Sequence, residues 1–125
     1  MSEIFFLQQA PFVVPTTDGK LIEEHVGRIA TDETNLSVAH MVAPPGWSEP
    51  HQNPEFDEYT LMVRGRKQIE INGETVTLKS GESLLVRKGV RVQYSNPFEE
   101  EAEYWSVCIP AFSPESVNRE NDSST

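Results

Sequence analysis

The sequence predicts a single all-β domain, and three observations carry that prediction. Apolar and polar residues alternate with a period of two over short stretches of the 125-residue chain. Turn-forming Gly, Asn, Asp and Pro recur between those stretches. No segment sustains a helical period over a useful length. Roughly eight or more short antiparallel strands in so short a chain would expose their edges unless the sheet closed on itself, so a double-sheet jelly roll or small barrel is expected.

The elements follow in order. Apolar residues 4–7 and 12–14 predict an additional strand, at an edge or exchanged with a neighbouring subunit. Asp18-Gly19 and residues 31–35 are turns before strands over 21–29 and 36–43. The clearest hairpin joins residues 68–71 to 74–78 through Asn72-Gly73, a pair that supplies the two positive φ angles of a type I′ turn. That turn sets Ile69 opposite Val76 and Glu70 opposite Thr75, one pair apolar and the other polar. Residues 79–82 turn the chain, 83–86 form a short buried strand, 87–89 turn again, and 90–95 alternate. Asn96-Pro97 and an acidic run to Glu103 read as a loop, and residues 104–109 as the last strand, stopped by Pro110. The expected organisation is an extension over 1–20, a barrel over 21–112, and a polar, disordered tail over 113–125.

Ten basic against twenty acidic residues give a formal net charge of −10. That argues against nucleic acid, whose phosphates demand Lys and Arg, and against an anionic membrane surface. No stretch approaches the ~18 apolar residues of a membrane span. The N-terminal residues lack the basic region of a signal peptide, so a cytoplasmic location is expected. Cys108, the one cysteine, excludes an internal disulfide and a Cys-rich zinc site, and its apolar neighbours suggest a buried small hydrophobe.

Two stretches carry the functional signal. In the first, Gly46, His51, Asn53, Glu58 and Gly65 approximate the pattern G-x5-H-x-H-x3,4-E-x6-G, with Asn53 in the second His place and one residue too few between Gly46 and His51. In the second, Gly81, Gly89 and Asn96 match G-x5-P-x-G-x2-H-x3-N, while Arg87 replaces the Pro and Val92 the His. Together they resemble the two signature motifs of the cupin superfamily. The resemblance covers about residues 36–110 and implies a double-stranded β-helix whose first-motif residues point into the barrel. Among cupins, residues 55–110 are most similar to the ethanolamine-utilisation type that lacks the metal histidines, a group associated with acetate kinase activity and bacterial microcompartments. No phosphate-cradling Gly-rich loop accompanies that similarity here.

Residues two apart on a strand share a face, so His51 and Asn53 are expected to project inward together. Tyr94 shares the face of Val92, and Thr60 and Met62 that of Glu58. The expected polar anchors are therefore His51, Glu58 and Tyr94, with Asn53, Thr60, Met62 and Val92 lining the ligand space. The expected function is binding of a small polar metabolite, a sugar or small carboxylate, with His51 or Glu58 as general base if the protein is an isomerase-type enzyme. Two alternatives stand beside it. One is a metal-dependent dioxygenase or isomerase holding a divalent transition metal through His40, His51 and Glu58, with Asn53 as auxiliary. The other is a non-catalytic accessory module. A homodimer is expected in each case.

Overall fold

The computed structural model describes residues 4–120. Among these described residues, nine strands form two facing antiparallel sheets. The larger has the order β1 (Phe12–Val13), β2 (Leu21–Val26), β3 (Ser37–Ala43), β9 (Ala102–Ile109), β4 (Asp57–Arg64) and β7 (Ser83–Val86). The smaller has the order β6 (Glu74–Lys79), β5 (Arg66–Ile71) and β8 (Val92–Ser95). The result is the jelly-roll barrel that the alternating pattern predicts. Its core is the inward set Ala43, Trp47, Met62, Ile69, Leu78, Val86, Val92, Tyr94, Ala102 and Tyr104, each large member contributing about 1.5–3 kcal/mol by leaving water.

The predicted hairpin forms in the expected register, Ile69 opposite Val76 and Glu70 opposite Thr75. Elsewhere the bounds move for local reasons. β2 stops at Val26 because the Glu24 carboxylate accepts hydrogen bonds from the amides of Ile29 and Ala30 and closes a loop there. β9 begins two residues before the expected 104, because Ala102 and Glu103 pair with Ala43 and Val42. Of the apolar N-terminal residues, Phe12 and Val13 supply the edge strand, while Phe5, Phe6 and Leu7 are exposed outside any strand.

The expected polar tail needs a correction. Residues 116–120 run antiparallel to residues 51–55 as a strap. The Asn53 amide donates to the Asn118 carbonyl, the Glu55 amide to Ser116, and the Glu120 amide to His51. Val117 is buried with Phe56 and Cys108, and Arg91 grips the Glu120 carboxylate through both Nε (2.6 Å) and Nη2 (2.9 Å). Backbone pairing and one buried valine thus outweigh the polar composition. Residues 121–125 lie outside the described part.

Two motif residues hold the architecture. The Asn96 side chain is fully buried; its Nδ2 donates to the carbonyls of Ala43, Pro44 and Glu100, and its Oδ1 accepts from the Phe98 amide. One amide therefore joins the end of β3 to the loop before β9. Gly65 lies at φ 78°, and a Cβ there would collide with the carbonyl oxygen of Glu101.

On the outer face of the larger sheet, His40 bridges two strands, with Nδ1 at 2.8 Å from Glu23 and Nε2 at 2.8 Å from Glu103. Burial by itself would lower the His40 pKa, but the bonds to Glu103 and Glu23 outweigh it and raise the pKa above the ordinary value. Only the imidazolium can donate from both nitrogens, and it is the form these two carboxylates favour.

Two predictions follow from these contacts. Asn96→Ala strands several buried carbonyls and Gly65→Ala meets backbone, so each should lower the unfolding free energy by about 2–4 kcal/mol in urea titrations. His40 titrates higher when folded than when unfolded, so its stabilisation is complete below the unfolded pKa of about 6.5 and disappears as pH rises through the folded value. Thermal melts should show that alkaline loss in the native chain and a smaller one in His40→Gln; identical pH profiles would remove His40 from this role.

Candidate functional site

A cavity of about 120 Å³ lies between the two sheets. Ile22, Ala39, Met41, Phe56 and Phe112 give it apolar walls. Glu49, Glu58, Tyr94, Gln52, Lys20 and Lys67 supply its principal polar groups, with Arg119 of the strap also lining it. An apolar chamber with a few convergent polar groups is the usual form of a small-molecule site.

Strand phase decides which residues face it. β4 delivers Glu58 inward, where its carboxylate accepts a 2.6 Å hydrogen bond from the Ser106 hydroxyl on the adjacent β9. β8 delivers Tyr94. The segment before β4 behaves differently. It runs beside β8, Ser48 bridging Ser95 and Gln52 bridging Val92, so residues 49–51 oppose only Gln93 and Tyr94. This is a bulge, and Pro50, with no N–H for the ladder, sits inside it. The extra residue resets the alternation. Glu49 and Gln52, three apart, both line the cavity, and His51 between them does not.

The expected site residues therefore divide. Glu58 and Tyr94 are brought together in the cavity. His51 is displaced from its expected inward place, with Nε2 3.3 Å from the carboxylate of Glu70, a residue that alternates with the core-packed Ile69 and Ile71. Asn53 reaches the carbonyl of Gly89 through Nδ2 (3.3 Å) and lies outside the cavity wall. Thr60, Met62 and Val92 are buried, with Met62 and Val92 packed into the core cluster, but none of the three lines the cavity. His40 alternates with the cavity residues Ala39 and Met41 and faces the opposite side of its sheet.

The metal set expected from His40, His51, Glu58 and Asn53 is consequently not assembled, because Glu58 alone of the four lines the cavity. Among the described residues, no group of three or more His, Cys, Asp and Glu is placed to hold a metal ion. Two ammonium groups also share the space with the carboxylates, and a cation would have to sit against them. The donors present do not fit the divalent transition metal that the motif resemblance implies.

Those ammonium groups are the residues the motif reading missed. Lys67 is 2% exposed, with Nζ 3.6 Å from the ring centroid of Tyr104 and 4.3 Å from that of Tyr94. Lys20 is 8% exposed, with Nζ 4.1 Å from the Trp47 centroid and 5.5 Å from that of Tyr104. Neither makes an ion pair among the described residues. Ring faces return about 2 kcal/mol per desolvated cation, against a burial cost of several kcal/mol. A signal for both existed in the sequence. Lys67 shares the parity of Ile69 and Ile71, and Lys20 that of Ile22 and Glu24.

Electrostatics sets the protonation pattern. Burial pushes the Glu49 carboxyl up; Lys20, Arg119 and Lys67 draw it back without cancelling the effect, and Glu58 adds to the rise. Burial, then the charge and hydrogen bonding of Glu58, hold the Tyr94 phenol well above its ordinary range, so it stays a neutral donor. For Lys20, burial acts downward, but Tyr104, Glu49 and Glu58 outweigh it and favour the ammonium. The chamber thus combines a carboxyl held above its ordinary pKa by burial, a neutral phenol and positive charge.

Comparison with known proteins places this geometry in context. The chain is 47% identical over 108 residues, 86% of its length, to a Myxococcus xanthus (strain DK1622) protein described as endoribonuclease YbeY, and spans 37% of that relative's length. Among solved structures it resembles a Streptomyces PAC13 variant with uridine (TM-score 0.75, 13% identity, 96% of this chain and 92% of that one). It also resembles an ethanolamine utilization protein q of Salmonella typhimurium (TM-score 0.59, 18% identity, 74% and 71% of the respective chains). At such identities the structural likenesses speak to fold alone. Residues 39–109, more than half of the chain and spanning both motifs, match the Cupin domain family, and with the jelly-roll topology around them this protein belongs to the cupins.

Proposed function

We propose that this cupin binds a small polar metabolite inside its barrel and moves a proton on it, as an isomerase-type enzyme does. The observation that carries the reading is the convergence of Glu49, Glu58 and Tyr94 on one apolar-walled chamber. A fold neighbour solved with uridine supports small-molecule binding as a use of this barrel.

The chemistry follows from the side chains. One carboxylate removes a proton from a carbon next to a carbonyl or carboxylate group. Negative charge then grows on the substrate oxygen, where a buried ammonium or the Tyr94 hydroxyl stabilises it more strongly than in water. The second carboxyl, or Tyr94, returns a proton at the neighbouring position. Fixed groups in a water-poor chamber need little reorganisation for either step. No metal enters this scheme.

A second copy of the chain belongs to the same proposal. Phe5, Phe6 and Leu7, which precede the edge strand in the chain, are exposed, and Leu61 and Val63 are exposed on the outer face of β4, apolar surface of the kind that pairing covers. Sedimentation should give a dimer mass, and charged replacements at Phe5 and Phe6 should shift it toward the monomer.

Deuterium exchange from D₂O into hydroxy and keto acids, followed by NMR, tests the activity. Glu58→Gln and Tyr94→Phe should each slow exchange by about 10²-fold or more. His51→Ala should leave it unchanged, since that ring sits outside the chamber. Unchanged exchange in Glu58→Gln would refute the assignment.

A further inference from the structure

We propose that Lys67, backed by Lys20, is a carboxylate-binding subsite, which makes the ligand of this barrel a small organic acid rather than a neutral sugar. The inference rests on the metabolite-binding reading above and narrows it to one chemical class.

The cavity holds donors that lack acceptors. The Lys67 ammonium is 2% exposed, lines the cavity, and makes neither an ion pair nor a hydrogen bond among the described residues. Its close neighbours are the rings of Tyr104 and Tyr94, which stabilise a cation without accepting its three N–H bonds in the way an oxyanion does. Lys20 stands over the same Tyr104 ring. The Tyr104 hydroxyl is itself buried with no hydrogen-bond partner among the described residues.

The three carboxylates that line the cavity each have nearer partners than the lysines, Glu24 accepting from the amides of Ile29 and Ala30. Glu58 takes the Ser106 hydroxyl at 2.6 Å, and Glu49 pairs with Arg119 at 3.8 Å. Glu49 and Glu58 act on the ammonium groups through space without closing an ion pair on either, so the Lys67 N–H bonds are left for a ligand. A carboxylate offers about four acceptor positions and forms short, charge-assisted bonds to an ammonium. Size sets the rest. A 120 Å³ chamber is somewhat smaller than the ~150 Å³ cavity that admits benzene, so it suits a molecule of about six heavy atoms. With its carboxylate on Lys67, such an acid has its next carbons in the chamber that Glu49, Glu58 and Tyr94 also line, the groups proposed above to move its proton.

Titration calorimetry with lactate, its neutral isostere lactamide, and erythritol tests the subsite. Lactate should bind at least about 10-fold more tightly than lactamide, and Lys67→Met should weaken lactate by about 30-fold or more while leaving lactamide unchanged. Lys67→Met should also raise the melting temperature of the ligand-free protein, because it removes a buried charge without a partner. That melt doubles as the check on folding, and Lys20→Met provides a second variant, expected to show a smaller loss. Equal affinity for lactate and lactamide, or lactate affinity unaffected by Lys67→Met, overturns the subsite. Binding of erythritol in preference to lactate overturns the subsite and leaves the metabolite-binding reading standing. No binding of any of the three overturns both.

Discussion

The two-residue period of the β-strand governs this molecule. Each inward position is fixed by counting from its neighbours along a strand, and one extra residue inverts everything beyond it. The bulge at residues 49–51 is where that happens. It turns Glu49 and Gln52 into the barrel and leaves His51 against Glu70. A barrel whose motif histidine faces outward cannot assemble the ligand set suggested by the motif, whatever the strands around it do. The chemistry available inside follows from this displacement as much as from the substitution at Val92.

The cavity of the described residues holds a cluster of protein charges. Lys20 enters from the residue just before β2, Lys67 from β5, Glu49 from the bulged segment, and Glu58 from β4. Such a cluster is expensive inside a hydrophobic core, and a domain held together by burial alone would do better without it. The aromatic rings of Trp47, Tyr94 and Tyr104 reduce the cost by facing the ammonium groups. The uncompensated remainder is the observation on which the proposed binding role rests. The strap of residues 116–120 belongs to the same construction. It adds Arg119 to the cavity wall and fastens the segment that carries Glu49 and Gln52.

The outer face of the larger sheet solves a separate problem with the same residue types. His40 holds two carboxylates from flanking strands, and its ring lies 5.0 Å from that of Trp105. A histidine that the sequence offered as a ligand is thus a cross-strand clip. Parity again separates the roles, since Ala39 and Met41 on either side of it face the cavity.

The amino-acid sequence by itself determined the all-β class, the Asn72-Gly73 hairpin with its register, the places of Gly65 and Asn96, and the inward direction of Glu58 and Tyr94. Each of these depends on local information: turn chemistry, alternation within one unbroken strand, or a glycine forced by backbone geometry. The tertiary structure decided the rest. Which way His51 points depends on the register between residues 48–52 and β8, a pairing between segments some forty positions apart. The strap exists because distant backbone groups pair with it, despite a polar composition that suggested disorder. The lysines carried a parity signal, but a lone cation within an apolar alternation becomes meaningful only once the opposite wall is seen to close no ion pair on it among the described residues. Local rules place side chains on a face; only the closed barrel shows what each face meets.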